Sequence, residues 1–228
     1  MDIGVPKEIK VSEKRVGLTP NSVYELTNRG HRVMVESTAG LAIGATDQAY
    51  LDAGAEISNG PDQIFDEAEL IVKVKEPQAK ERKLLSKNQT LFTFLHLAPD
   101  PDQTQDLIES GVTAIAYETV TDDAGGLPLL APMSKVAGRM ATQAGAHVLE
   151  SPQGGSGILI GGIPGVSPAQ VAIIGGGVVG ENAAEVAIGM GANVNILDRD
   201  DQVLDRLAKR FGARANTVYS TKSSLEKQ

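Results

Sequence analysis

The chain has 228 residues, enough for one large or two modest domains. With 41% hydrophobic residues, 4% aromatic residues and no tryptophan, its core must be built from Val, Ile, Leu and Ala. A net charge of −8 without a long run of Lys or Arg argues against a nucleic-acid footprint. The absence of cysteine excludes disulfides, thiolate chemistry and thiolate metal sites, and no metal is expected. The opening "MDIGVPKEIK" has no apolar signal region. The longest apolar-looking stretch, "GILIGGIPGV", is too short and too broken by Gly and Pro to span a bilayer. The expectation is a cytoplasmic protein that partners neither membrane nor nucleic acid.

Short β-like runs alternate with helical segments. "DIGVP" reads as a first strand, followed by "TPNSVYELTNRGH" with Thr19 as N-cap, Pro20 at N1 and Gly30 as the stop. "RVMVES" is the next strand, and "TDQAYLDAG" is a short helix from Thr46 to Gly54. "AELIVKVKEP" and "QTLFTFLHLAP" are strands ended by Pro77 and Pro99. "DPDQTQDLIESG" is a helix and "VTAIAYETV" a strand. This alternation predicts an α/β fold with a doubly wound, mostly parallel sheet. After the turn-rich "DDAGGLPLLAP", the small-residue-rich "MSKVAGRMATQAGAHVLES" predicts a long helix packed closely on another element. The expected division is a substrate-side α/β domain over 1–128 and a partial Rossmann-type domain over 129–228.

The second domain carries the most specific local pattern. Gly175, Gly177 and Gly180 form G-x-G-x-x-G between "QVAIIG", read as a buried strand, and the helix "VVGENAAEVAIGMG". "ANVNIL" follows as a second strand and closes on Asp198, 18 residues after Gly180. Gly175 would permit the tight turn, Gly177 the approach of a pyrophosphate to backbone N–H groups, and Gly180 close helix–strand packing. Val178 and Val179 open the helix whose N-terminus would face the phosphates. Asp198 would accept hydrogen bonds from a ribose diol and repel a 2′-phosphate, so the cofactor expected is NAD; Arg199 beside it slightly opposes that preference.

Of the three histidines, His31 follows a helix end and reads as a surface residue, and His147 in the Ala-rich helix reads as structural. His96 ends the apolar run "LFTFLHLAP", where the carboxyl ends of parallel strands form a ligand crevice. The pattern alone still favours a structural histidine there. Lys73 and Lys75 share one face of "IVKVKEP", either solvated or forming an anion site, and Arg15 taken alone is an ordinary loop cation. Taken together, they supply a fork for a carboxylate, a donor to polarise a carbonyl or imine, and a proton shuttle near neutrality.

These motifs have a common likeness. From "IGVPKEIKVSEKRVGLTP" through "VKVKEP", "FTFLHLAP", "AIAYETV", "LPLLAPMSKVAGRMA" and "GGIPGV" to "IIGGGVVGENAAEVAIGMGA", nearly the whole chain resembles the alanine dehydrogenases. The resemblance implies reversible NAD-dependent deamination of L-alanine to pyruvate and ammonia, in a homo-oligomer. It implies Arg15 and Lys75 on the substrate carboxylate and carbonyl, and His96 as acid–base residue. Met133 and Ser134 would line the substrate and nicotinamide side, and Gly175, Gly177, Val178, Val179, Gly180 and Asp198 would hold the NAD. Lys135 departs from the pattern, standing where an acid is more usual. The alpha chain of nicotinamide nucleotide transhydrogenase resembles the same region but lacks the lysine and histidine of "KVKEP" and "FLHLA". Members of the family continue beyond this chain's last residue. The expectation is therefore a truncated product with impaired turnover, the alternative being a non-catalytic fragment that binds nucleotide or associates with full-length subunits.

Overall fold

The computed structural model describes residues 1–227. They divide into two compact units, one over Met1–Leu127 and the other starting at Pro128.

In the first unit, β1 (Asp2–Val5), β2 (Arg32–Glu36), β3 (Glu56–Ser58), β4 (Leu70–Val72), β5 (Thr90–Thr93) and β6 (Thr113–Ala116) form one wholly parallel sheet. Its order is β3-β2-β1-β4-β5-β6, so the chain winds outward one way from β1 and then the other way from β4. Five helices connect the strands: α1 (Pro20–Thr27), α2 (Asp47–Asp52), α3 (Pro61–Glu67), α4 (Ala79–Arg82) and α5 (Pro101–Ser110). The expected caps form. Thr19 accepts from the Ser22 N–H and Thr46 from the Ala49 N–H, satisfying amide groups that the first helical turn leaves without partners.

Both faces of this sheet are covered, as a parallel sheet requires. Val33 and Val35 of β2 join Val5, Val23 and Tyr50 in one core, while Met34 between them joins Ile64, Ile71, Leu91 and Leu107 in the other. The short elements β3, α3 and α4 are not among those expected from the sequence. Two or three residues of strand carry too little periodicity to be read, and α3 starts from Gly60 without a side-chain cap. β4 and β5 also stop earlier than the apolar runs suggest, at Val72 and Thr93. Beyond them the backbone leaves regular pairing to present Lys75 and His96.

The second unit opens with the long helix α6 (Ala131–Val148). It continues through β7 (Gln170–Ile174), α7 (Val178–Gly189), β8 (Asn193–Asp198), α8 (Asp201–Phe211), β9 (Ala215–Tyr219) and α9 (Lys222–Leu225). The three strands pair in parallel in the order β7-β8-β9. Ala184, Ala187, Val194, Ile196, Leu207 and Phe211 fill its core. The small residues of α6 have the anticipated consequence. A Cβ at Gly138 would overlap the Val179 carbonyl, and the Thr142 hydroxyl donates to the Ala183 carbonyl at 2.9 Å, so α6 lies directly on the backbone of α7.

One strand departs from expectation. β7 is not buried: Val171 and Ile173 are half-buried and Ile174 is 74% exposed. Among the described residues β7 pairs only with β8, which leaves its other edge uncovered. Among the described residues, too, no helix is long and apolar enough to cross a membrane, and no cluster of His, Cys, Asp and Glu is arranged to hold a metal ion.

Candidate functional site

In the first unit the winding order reverses between β1 and β4. At such a point the two connections run to opposite sides, and a crevice opens beyond the carboxyl ends of the strands. The loop after β1 carries Arg15, the segment after β4 carries Lys75, and His96 follows β5, the next strand along. The sheet topology thus brings these three residues to the ends of three adjacent strands.

Each is held by an acid that the sequence reading did not single out. Glu13 accepts from the Arg15 backbone N–H and Nε at 2.8 Å each, and from Nη2 at 2.6 Å. That bidentate grip sets the plane of the guanidinium, and the same guanidinium holds the Glu13 carboxyl down at about 2. Lys75 contributes a smaller pull on Glu13, so the two cations share one electrostatic neighbourhood. The Lys75 peptide is fixed on both sides. Its N–H donates to Glu8 Oε1 at 3.3 Å, and its carbonyl accepts from the Thr93 hydroxyl at 2.9 Å. His96 is exposed and sits at φ +50°, with its ring stacked on Phe94 at 5.8 Å between centroids. Its backbone N–H donates to Glu118 Oε1 at 2.7 Å.

Lys73 does not share an anion site with Lys75. It is completely buried, with its Nζ 3.2 Å from Glu8 and 2.7 Å from Glu81. Alternation along a strand puts both lysines on one side only while the strand stays regular. This strand ends at Val72, and past it Lys73 turns into the interior. His147 is likewise no core residue. It is exposed on α6, 3.6 Å from Glu150.

The second unit gathers the residues of the glycine pattern. Gly175 takes φ +102°, a conformation open chiefly to glycine. A Cβ at Gly177 would meet nothing within 4 Å, so space lies open over the turn in front of the α7 N-terminus. Ser134, Gly175, Gly177, Val178, Val179 and Gly180 all line one largely apolar cavity of about 800 Å³. Met133 precedes Ser134 in the first turn of α6, and Lys135 after it is exposed. Asp198 closes β8. Its Oδ2 accepts from the Gly176 N–H at 2.6 Å and its Oδ1 from the Asp200 N–H at 3.0 Å, and these bonds hold the carboxyl below its usual range. Asp198 therefore pins the glycine turn as well as ending the second strand.

A Cβ at Gly180 would fall inside the Gly175 carbonyl oxygen, which is backbone and cannot swing aside. Gly180→Ala is expected to open the turn and destabilise the unit by about 1–3 kcal/mol, the usual range for overpacking. A lowered urea midpoint with weakened NADH binding is the expected observation. An unchanged midpoint would show that the turn can shift freely.

Two family models match the chain: "Alanine dehydrogenase/PNT, N-terminal domain" over residues 4–137, and "Alanine dehydrogenase/PNT, C-terminal domain" over 141–228. The chain belongs to the alanine dehydrogenase/PNT family. Similar curated relatives include the alanine dehydrogenase of Halomonas elongata, 56% identical over 226 residues, and that of Bacillus subtilis, 54% identical over 220. The match takes in 99% and 96% of this chain but 61% and 58% of those relatives. A solved L-alanine dehydrogenase is 49% identical, with a TM-score of 0.92 over all of this chain and 63% of that one. A transhydrogenase from Sinorhizobium meliloti, 23% identical with a TM-score of 0.80, shares the fold. The family is the one that the sequence motifs resemble, and the α/β fold with a partial Rossmann-type unit is the expected one.

Proposed function

We propose that this chain carries the substrate and nucleotide sites of an NAD-dependent alanine dehydrogenase, which converts L-alanine to pyruvate and ammonia and back. The supporting observation is the placing of Arg15, Lys75 and His96 at the ends of β1, β4 and β5, across the point where the winding reverses. Arg15, its guanidinium plane set by Glu13, supplies the cationic charge for the substrate carboxylate. Lys75, its peptide fixed by Glu8 and Thr93, donates to the carbonyl oxygen of pyruvate and stabilises the charge that gathers there. His96 moves the proton: it accepts one as alanine is oxidised and returns it in the reverse direction.

The second unit suits a dinucleotide. The open space at Gly177, the amides of the α7 N-terminus and the ionised Asp198 offer a pyrophosphate and a ribose diol the groups they need. Gly175, Gly177, Val178, Val179, Gly180 and Ser134 would hold the cofactor, with Met133 beside Ser134 in the first turn of α6. NAD supplies the hydride acceptor. Identities of 56% and 54% to proteins named alanine dehydrogenase, against 23% for the transhydrogenase, support the first activity over the second. A cytoplasmic homo-oligomer completes the proposal.

Separate titrations of the chain with pyruvate, NADH and NADPH, alongside an assay of alanine-dependent NADH formation, test this reading. NADH is expected to bind more tightly than NADPH. Asp198→Ala should weaken NADH by about tenfold or more, the worth of a hydrogen bond to a charged group, and narrow the discrimination. Tighter binding of NADPH by the unaltered chain would contradict the cofactor assignment, and failure to bind pyruvate would contradict the substrate site.

A further inference from the structure

His96 is one of three non-glycine residues of the described chain with positive φ, the others being Ser12 and Thr38. The left-handed region crowds a Cβ, so a residue stays there only when its surroundings fix it. Here the two successive peptides that lead into His96, Phe94–Leu95 and Leu95–His96, are gripped by two side chains from different elements. Glu118, in the 3-10 turn after β6, accepts the His96 N–H at 2.7 Å and the Leu95 N–H at 3.1 Å on one oxygen, with the second oxygen 3.3 Å from the Leu95 nitrogen. Gln103, fully buried in the first turn of α5, donates its side-chain amide to the Leu95 carbonyl at 2.6 Å. The aromatic contacts continue the hold. Tyr117, next to Glu118, packs edge-on against Phe92 and Phe94, and Phe94 carries the stacked His96 ring.

We infer that Glu118 is the positioning residue of the site: its carboxylate fixes the His96 backbone in the left-handed region, so that the imidazole projects from the end of β5 instead of following the strand. This rests on the reading of His96 as the acid–base residue. Glu118 makes no described hydrogen bond to the imidazole, although the charge of His96 acts on its carboxylate. It acts through two backbone N–H groups. Its own state agrees with that task. Burial pushes its carboxyl up, but the N–H groups of His96, of Glu118 itself and of Leu95, together with the charge of His96, hold it below the usual carboxylate range.

The test uses the full chain with His31 and His147 replaced by Gln, so that His96 gives the only imidazole signal. Pyruvate is titrated while the ring nitrogens and the His96 Cα are followed by NMR, and NADH binding is measured in parallel. Glu118→Ala is expected to move the His96 Cα shift out of its left-handed value and to weaken pyruvate at least tenfold, with NADH binding unchanged. Glu118→Gln keeps an acceptor for both N–H groups and is expected to stay within threefold of the parent. Should the alanine variant not fold, Glu118→Asp, which draws the acceptor back by one methylene, is expected to weaken pyruvate in the same direction. A parent whose imidazole ignores pyruvate sinks the reading of His96 and the hold with it. A parent that responds, beside alanine and aspartate variants that respond equally, overturns the hold alone. A glutamine variant as weak as the alanine variant also overturns it, because charge and not the pair of hydrogen bonds would then be acting.

Discussion

Replacing His96 by alanine is expected to slow alanine-dependent NADH formation by about 10²–10⁴-fold, the contribution typical of a positioned general acid–base group. NADH binding should be nearly unchanged, because the groups proposed to hold it belong to the second unit. Pyruvate affinity should fall too, by at least the tenfold expected of Glu118→Ala, because the imidazole is then removed and not only turned. Lys75→Ala should also disable turnover, through the lost donor to the carbonyl oxygen. Arg15→Ala should act chiefly on pyruvate binding. The assay follows NADH absorbance at saturating alanine. It is run on the chain, and on a chimaera in which the chain replaces the matching part of the Halomonas elongata relative, because the chain spans 61% of that protein's length. Turnover within threefold of the parent in a His96→Ala chimaera would return His96 to the structural histidines.

How much of this could be read beforehand follows the range over which each signal acts. The caps at Thr19 and Thr46, the glycine stops and the G-x-G-x-x-G turn are local, set within about one turn of chain, and each lies where the residues place it. Apolar runs gave most strands but not their ends. In "IVKVKEP" hydrophobicity continues past Val72, while the regular strand does not, although the Lys73 N–H still donates to the Phe92 carbonyl and the Phe94 N–H to the Val74 carbonyl. The acids that hold the site stayed hidden for a different reason. Glu8 lies 67 residues from the Lys75 amide it accepts, and Glu118 lies 22 from that of His96. No local pattern marks such a pair, because the partner is chosen by strand order. Glu13 is the exception. It stands two residues from Arg15, and an acid so placed in "SEKRV" could have been read as a guanidinium clamp. The exposed β7 escaped notice because an apolar strand has the same composition whether or not a neighbour covers it.

Exchanging Lys73 for methionine is expected to destabilise the first unit by about 3–5 kcal/mol, the cost typical of removing one partner from a buried ion pair. Methionine matches the length and apolar stem of the lysine, so the change is almost purely electrostatic. In the parent every carboxylate oxygen of the cluster has a donor. Glu8 Oε1 accepts the Val74 N–H at 2.6 Å and the Lys75 N–H at 3.3 Å, Glu81 Oε2 accepts the Gln78 N–H at 2.7 Å, and Lys73 serves the two remaining oxygens. Glu8 is 9% exposed and Glu81 4%, so without the ammonium two carboxylates stay in a region that water barely reaches. They must then take up a proton or pull outward, and Glu8 cannot move without releasing the Lys75 peptide. Pyruvate binding should therefore fall along with stability. Urea unfolding followed by circular dichroism reads the first effect and a pyruvate titration the second. Adding Glu8→Gln and Glu81→Gln to the methionine variant removes both orphaned charges and should restore part of the stability. A single Lys73→Met variant that loses less than about 0.5 kcal/mol, within the scatter of ordinary surface changes, would mean that the two acids are left without cost and that the cluster is not what holds the end of β4.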